Sequence, residues 1–181
     1  MHCRISFLAI AAVGLGLIGS GITIPSCHWL RLRGRDERNR NVGLWRRSSR
    51  GEEGACWFYC CAPYPHDFEA GANLKTARAG SVMAPIFGGV SLFSLLNQDP
   101  VFKPTKWRLA VACSALAAIS QGLTLIVQYT QQCDVSEYSY CHVGISTWAF
   151  WTSVAAVVCY VTATCIGTGP MTADPPEENE G

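Results

Sequence analysis

The chain has 181 residues, of which 49% are hydrophobic and only 15% are charged. In an ordinary soluble domain about a quarter of the residues are charged, so this composition argues against that class and favours a protein that folds in a bilayer. The charges are concentrated in loops and in the C-terminal tail, which leaves four long stretches without Asp, Glu, Lys or Arg.

The uncharged stretches cover residues 5–24, 79–96, 109–127 and 143–166. A helix of roughly 20 apolar residues crosses a hydrocarbon core of about 30 Å. A soluble fold of this size has no room for four charge-free helices, because its small core needs a polar shell around it. We therefore predict an all-α membrane protein in which residues 1–169 form a single domain, a left-handed bundle of four transmembrane helices.

The first stretch follows a short basic N-terminus that ends at Arg4, so it could instead be a secretory signal peptide. Its uncharged run is longer than the usual signal core of about 7–15 residues, and the segment from Gly19 to Ile22 is a poor cleavage site. We expect a retained span, whereas cleavage of the segment would leave three spans.

Small residues recur at every fourth position in each stretch and predict where the helices approach one another, because lipid tails are as apolar as leucine side chains. Gln121 is a polar amide in the third stretch, and its cost in lipid predicts that it faces another helix. The residues expected to pack between helices are Gly16, Gly80, Ala84, Gly88, Ser114, Ala118 and Gly122.

Residues 25–78 form the only sizeable region outside the predicted spans. Residues 31–40 are a basic run, for which a solvated loop is favoured over a site for nucleic acid or lipid headgroups, so no nucleic-acid partner is expected. Two β-prone pieces, residues 42–45 and 55–59, are separated by the turn-forming residues 48–54. These pieces predict a small β-hairpin within the first extracellular loop.

Six cysteines lie in the two loops that share one side of the membrane if all four spans form. An even number favours a disulfide-forming exterior or lumen, although six cysteines allow 15 pairings. The positive-inside rule gives the opposite orientation, because residues 25–78 carry ten Lys or Arg and the other side carries four. We favour an exterior loop, since that rule weakens for loops of about 60 residues. The six candidate disulfide cysteines are Cys27, Cys56, Cys60, Cys61, Cys133 and Cys141.

The residues predict no catalytic centre, cofactor site or metal site. A thiol oxidoreductase normally uses two cysteines with two residues between them, whereas three residues separate Cys56 from Cys60. A zinc site built from these cysteines with Cys61 and His66 would have a more compressed spacing than structural zinc sites. Residues 170–181 are acidic and are predicted to be a disordered tail.

Trp29, the Gly43-Leu44-Trp45 segment and Arg78, in this order along the chain, resemble a motif of the claudin and peripheral myelin protein superfamily. The resemblance covers nearly the whole chain in topology, with a short N-terminus, a span, a large loop and three further spans, but only a few residues in motif. Claudins have an early tryptophan, like Trp29, and then a Gly-Leu-Trp motif, like Gly43-Leu44-Trp45. They also have an arginine at the foot of the second span, like Arg78.

In that family the Gly-Leu-Trp motif is followed by two cysteines that form a disulfide across adjacent strands. This chain departs from the pattern, because Ser48 stands where the first of those cysteines is expected. Cys133 and Cys141 in the third loop are additional to the family pattern. The resemblance therefore implies a divergent, claudin-like protein.

The resemblance implies a non-enzymatic multi-pass protein that acts in cell-surface or membrane–membrane contact through its first extracellular loop and through lateral self-association. Its expected partners are membrane lipid, further copies of itself and other membrane proteins. The plasma membrane is the expected location, with an endomembrane as the alternative. An accessory subunit that packs beside a channel or receptor is a second hypothesis. A membrane thiol oxidoreductase is a third, against which the cysteine spacing argues.

Overall fold

A computed structural model of the chain describes eight segments that together form four helices and one sheet. Several predictions fall outside these residues, namely those on Cys27, Trp29, Cys56, Cys60, Cys133 and the tail. The described segments are residues 2–26, 30–34, 39–48, 61–64, 71–97, 104–126, 138–143 and 148–168.

Most of the described residues are helical. The helices are α1 (His2–Thr23), α2 (Ala72–Leu96), α3 (Pro104–Thr124) and α4 (Trp148–Thr168). Each of them overlaps one uncharged stretch of the sequence, so the helices agree in number and order with the four stretches.

α2 begins about two turns before the predicted start at residue 79. Gly71 is its N-cap residue, and the Lys75 amide donates a hydrogen bond to the Gly71 carbonyl at 3.0 Å. The prediction stopped at the charged side chains of Lys75 and Arg78. Charged residues end the segment that can lie in the bilayer, but they do not end the helix, because Lys and Arg are good helix formers. The first turns of α2 therefore extend beyond its apolar part and carry Arg78.

Among the residues that the structure describes, three helical segments are long and apolar enough to cross a membrane: Ser6–Thr23, Ala72–Leu96 and Trp148–Thr168. They indicate a membrane-embedded protein. α3 is not among them, because it is the least apolar helix and consists largely of small residues such as Ala, Ser and Thr.

The helices pack as a ring in which α1 and α3 each contact both α2 and α4. Small residues dominate the core between them, which allows the helix backbones to approach closely. Large apolar side chains lie on the outside of all four helices, with Phe7, Phe93, Ile119 and Val158 as examples. The core cluster consists of Ala9, Val13, Leu95, Trp107, Ala110, Ala117, Ala118, Tyr160 and Ala163.

Tyr160 of α4 is fully buried at the centre of this ring. A Cβ atom added at Gly16 of α1 or at Gly88 of α2 would meet the Tyr160 side chain. The Tyr160 hydroxyl lies 3.2 Å from Ser20 Oγ, and the Ser20 hydroxyl donates to the Gly16 carbonyl at 2.7 Å. Since the Ser20 proton is used in that bond, the Tyr160 hydroxyl donates to Ser20. Gly16 and Gly88 thus make room for one aromatic ring rather than for a neighbouring backbone.

The other glycines of the predicted stripes have different surroundings. A Cβ atom at Gly80 would meet the Ser120 carbonyl, so α2 and α3 approach closely there. Ala84 and Ala118 are buried. Gly122 is different, because among the described residues no atom of another helix lies within 4 Å of the place where its Cβ would be. Two residues that are four apart on a helix differ by about 40° in the direction of their side chains. A long row of small residues at this interval therefore turns gradually away from the neighbouring helix.

Hydroxyl and amide groups connect neighbouring helices inside the ring. Ser91 of α2 and Ser114 of α3 share a hydrogen bond of 2.8 Å between their hydroxyls. The Gln121 amide of α3 donates to Ser153 Oγ of α4 at 2.7 Å, and Ser153 also bonds the Thr124 hydroxyl at 2.9 Å. Gln121 therefore faces another helix, as its cost in lipid predicts.

The strands form one antiparallel sheet in the order β4-β3-β2-β1-β5. The first loop supplies β1 (Leu30–Gly34), β2 (Asn39–Val42), β3 (Arg46–Ser48) and β4 (Cys61–Pro63), and the third loop supplies β5 (Tyr138–Val143). Because β5 pairs with β1, the sheet joins the two loops.

The strands do not lie where the sequence prediction placed them. The piece at 42–45 is interrupted, because Val42 ends β2 and Gly43 to Trp45 lie between strands. The piece at 55–59 lies outside the described residues. The carbonyls of Gly43 and Leu44 instead accept hydrogen bonds from side chains elsewhere in the chain, so this segment is used for docking and not for pairing.

Two strands occupy segments for which the sequence predicted other structures. β1 lies in the basic run read as a solvated loop, where the alternating Leu-Arg-Leu-Arg pattern is a strand signal. β5 takes Val143, the predicted start of the fourth span, and α4 begins only at Trp148. An uncharged stretch can thus be shared between a strand and a helix, because absence of charge does not distinguish the two.

Candidate functional site

The Gly-Leu-Trp dock is the place where the sheet is attached to the helix ring. We define it by six residues from three parts of the chain: the segment between β2 and β3, the residue after β4, and the first turns of α2. These residues are Gly43, Leu44, Trp45, Tyr64, Arg78 and Ser81.

Arg78 is the central residue of the dock. Its Nε donates a hydrogen bond of 2.7 Å to the Leu44 carbonyl. Its guanidinium carbon lies 5.0 Å from the centroid of the Trp45 ring and 5.2 Å from that of Tyr64. A guanidinium within about 6 Å of an aromatic ring is attracted by the ring quadrupole, by about 0.5–2 kcal/mol. A hydrogen bond from a charged donor contributes about 1.5–3 kcal/mol.

Three further hydrogen bonds complete the dock. The Trp45 indole N–H donates to Ser81 Oγ at 3.2 Å, and the Ser81 hydroxyl donates to the Arg78 carbonyl at 2.7 Å. The Tyr64 hydroxyl donates to the Gly43 carbonyl at 2.8 Å. The dock thus holds one end of the β3–β4 pair, where Arg46 is opposite Pro63, through the segment before β3 and the residue after β4.

The local structure explains why these groups meet. Arg78 and Ser81 are three residues apart on α2, so they lie on the same side of the helix. The early start of α2 is what carries Arg78 to the level of the sheet. Leu44 is fully buried beside it, whereas Trp45 keeps 39% of its surface exposed. The dock therefore combines a buried anchor with an aromatic side chain at the surface.

The interactions of the dock hold the sheet against α2. It contains no carboxylate, imidazole or thiol group, and the Tyr64 and Ser81 hydroxyls both donate to backbone carbonyls. Elsewhere in the described segments, no three His, Cys, Asp or Glu side chains are grouped to hold a metal ion.

The register of β3 and β4 bears on the cysteines. Ser48 and Cys61 are direct partners in this antiparallel pair, as are Arg47 and Ala62. Ser48 is the residue at the position of the first cysteine of the resembled family. Cys141 lies in β5, opposite Leu32 of β1. Three other cysteines are free thiols in the helices: Cys113, Cys159 and Cys165.

The dock contains four of the five residues that the resemblance singled out, and the fifth, Trp29, lies outside the described residues. Sequence reasoning missed Tyr64 and Ser81. Ser81 follows Arg78 by one helical turn, which is a usable signal once the helix start is known. Tyr64 carries no signal of its own, because its partner is a backbone carbonyl that only the folded sheet places nearby.

Comparison with known proteins adds no family to these observations. A scan against protein-family models finds no match for this chain. A search of curated proteins finds no match either. The resemblance to claudins therefore stays a hypothesis that rests on the residues described above.

Proposed function

We propose that this chain is a non-enzymatic, claudin-like membrane protein that makes contacts between membranes or cell surfaces. In this proposal all four helices cross the plasma membrane as a left-handed bundle, and the sheet stands on the extracellular side. The sheet makes the contact, while the outer helix surfaces bind lipid and neighbouring copies.

The outer surface of α3 supports four spans. Leu109, Leu116 and Ile119 expose 43–62% of their surfaces, although α3 is less apolar overall than its neighbours. The helix has 21 residues, which give a length of about 31 Å. It packs against both α2 and α4, each apolar enough to span. A helix in that position lies at the same depth as its neighbours.

The pairing of β1 with β5 supports a common side for the two loops. β1 follows α1 in the chain, and β5 lies between α3 and α4. Their antiparallel pairing brings the first and third loops together. This is the arrangement that four alternating spans require.

The observation that carries the proposal is the Arg78 contact with Leu44 and Trp45. It fixes the sheet to α2 without using any group for chemistry. A surface that is held rigidly before it meets a partner loses less conformational entropy on binding, so the dock favours a contact function.

A vesicle assay tests the contact function. The purified full chain is inserted into liposomes with the sheet outward, and vesicle clustering is followed by light scattering. We expect the protein to cluster vesicles and Arg78→Ala to reduce the clustering. Lys75 is an exposed residue on the same helix, so Lys75→Ala should leave the clustering unchanged. Protein that inserts in this orientation but never clusters vesicles would contradict the proposal.

Thiol accessibility tests the orientation. Intact cells are labelled with a membrane-impermeant thiol reagent before and after reduction. Labelling of Cys133 or Cys141 only after reduction would establish an exterior loop that contains a disulfide. Labelling only after permeabilisation would reverse the proposed topology.

A further inference from the structure

The two edges of the sheet differ in their protection against pairing with another strand. β4 has three residues and ends at Pro63, which has no backbone N–H to donate. β5 has six residues, Tyr138–Val143, and contains neither Pro nor any Asp, Glu, Lys or Arg. Short length, Pro, charge and β-bulges are features by which natural edge strands avoid pairing with another chain, and of these β5 has only a register shift at Ser139. β5 is thus the less protected of the two edges.

β5 offers one side to another strand. Within the described segments it pairs with β1 alone, through the positions from Leu30 to Gly34. In an antiparallel ladder, alternate residues direct their N–H and C=O groups to opposite sides. Half of the β5 residues therefore direct these groups away from β1, where an added strand forms main-chain hydrogen bonds.

The distribution of charge over the sheet favours a second β5 strand as the strand that pairs with this edge. β5 and β4 carry no charged residue, whereas the three strands between them carry five arginines: Arg31, Arg33, Arg40, Arg46 and Arg47. When two β5 strands pair, the β1 strands of the two copies are three strand spacings apart, about 14 Å. This distance exceeds the Debye length of about 8 Å at physiological salt, so repulsion between the copies is screened.

We propose that β5 of one copy pairs antiparallel with β5 of a second copy, joining two sheets across a two-fold axis. This inference rests on the proposed function and names the contact by which copies associate. An axis through Tyr140 places this residue opposite Tyr140 of the partner subunit, an aromatic pair of the kind that stabilises sheets. The same segment contributes from both copies, as a two-fold interface requires.

Photo-crosslinking tests the contact. p-Benzoylphenylalanine replaces Tyr140 in the full chain, and unlabelled and ¹⁵N-labelled copies are mixed in vesicles before irradiation. We expect crosslinked peptides that join one copy to residues 138–143 of the other. The same probe in place of Pro63, on the β4 edge, is the control and should give no crosslink between copies. Crosslinks from Tyr140 that reach only another segment of the second copy would overturn the inference.

A charge on the edge gives an independent test. Ser139→Lys should raise the dissociation constant of the dimer at least about tenfold, since an edge lysine opposes strand addition. Ser139→Thr, which keeps a hydroxyl and favours strands, should leave the constant nearly unchanged. The thermal midpoint of each variant verifies that it folds. An equal dissociation constant for a folded Ser139→Lys variant would refute β5 pairing.

The two experiments separate this inference from the proposed function. If vesicles cluster normally with Ser139→Lys and Tyr140 crosslinks elsewhere, the contact function stands and the β5 contact is wrong. If the wild-type chain neither clusters vesicles nor associates, both proposals fail.

Discussion

Ser48 and Cys61 are direct partners across the antiparallel strands β3 and β4. Directly opposed residues in such a pair have Cα atoms about 4.5–5.5 Å apart, within the range of about 4.4–6.8 Å that a disulfide needs. In the resembled family a disulfide joins adjacent strands, and its first cysteine stands where this chain has Ser48. The register therefore makes Cys61 the cross-strand partner of Ser48, the position at which the resemblance to claudins implies a cysteine.

We predict that Ser48→Cys forms a disulfide with Cys61 in an oxidising compartment. The bond would close a loop of about 14 residues and raise the free energy of unfolding by up to about 3 kcal/mol. Peptide mapping by mass spectrometry identifies the bond, and thermal unfolding in detergent measures the gain.

Arg47→Cys is the matched control. Arg47 is opposite Ala62, so its position lies on the other face of the strand from that of Ser48. It should form no bond with Cys61. If both variants linked to Cys61 equally well, the register of β3 and β4 would be wrong.

We predict that Arg78→Ala lowers the free energy of unfolding by about 2–4 kcal/mol, because it removes one charge-assisted hydrogen bond and two cation–π contacts. Arg78→Lys should recover only part of this loss, since an ammonium lacks the planar group that stacks on Trp45 and Tyr64. Thermal unfolding in detergent checks both values. Lys75→Ala should change stability little, and full recovery by lysine would show that charge alone matters.

We predict that Gly88→Ala destabilises the bundle by about 1–3 kcal/mol, because the new methyl group would meet the Tyr160 hydroxyl. Tyr160→Phe in the same chain should recover part of the loss by removing that oxygen. The neighbouring variant Gly89→Ala should be neutral or stabilising by up to about 1 kcal/mol, since its Cβ would enter open space. A double-mutant cycle in detergent measures the coupling, and additive effects would argue against the contact.

We predict that Ser153→Ala lowers stability by about 1–2 kcal/mol. The change removes the acceptor of the Gln121 amide, a fully buried side chain whose Oε1 already has no hydrogen-bond partner among the described residues. Thr162→Ala is the control, because the exposed Thr162 hydroxyl bonds only the Val158 carbonyl of its own helix. Equal effects of the two variants in thermal unfolding would show that the interhelical bond contributes nothing.

The helix contacts show where reasoning from spacing succeeds and where it stops. Gly80 could be recognised because close backbone approach needs a small residue at a regular interval. The same interval also selected Gly122, which has no close neighbour, and Gly16 and Gly88, which accommodate Tyr160. The spacing of small residues identifies the side of a helix that can be approached closely. It does not identify the group, a backbone or a side chain, that occupies the space there.

The sequence by itself determined the number, order and approximate bounds of the helices. A long charge-free run is a property of consecutive residues, so it can be recognised without knowing the tertiary structure. It also singled out Gly43, Leu44, Trp45 and Arg78 as residues of interest. Only the tertiary structure decided that Arg78 binds Leu44, that Ser48 is opposite Cys61 and that β5 completes the sheet from another loop. These relationships join residues far apart in the chain, and strand register and backbone hydrogen bonds arise only when the segments meet.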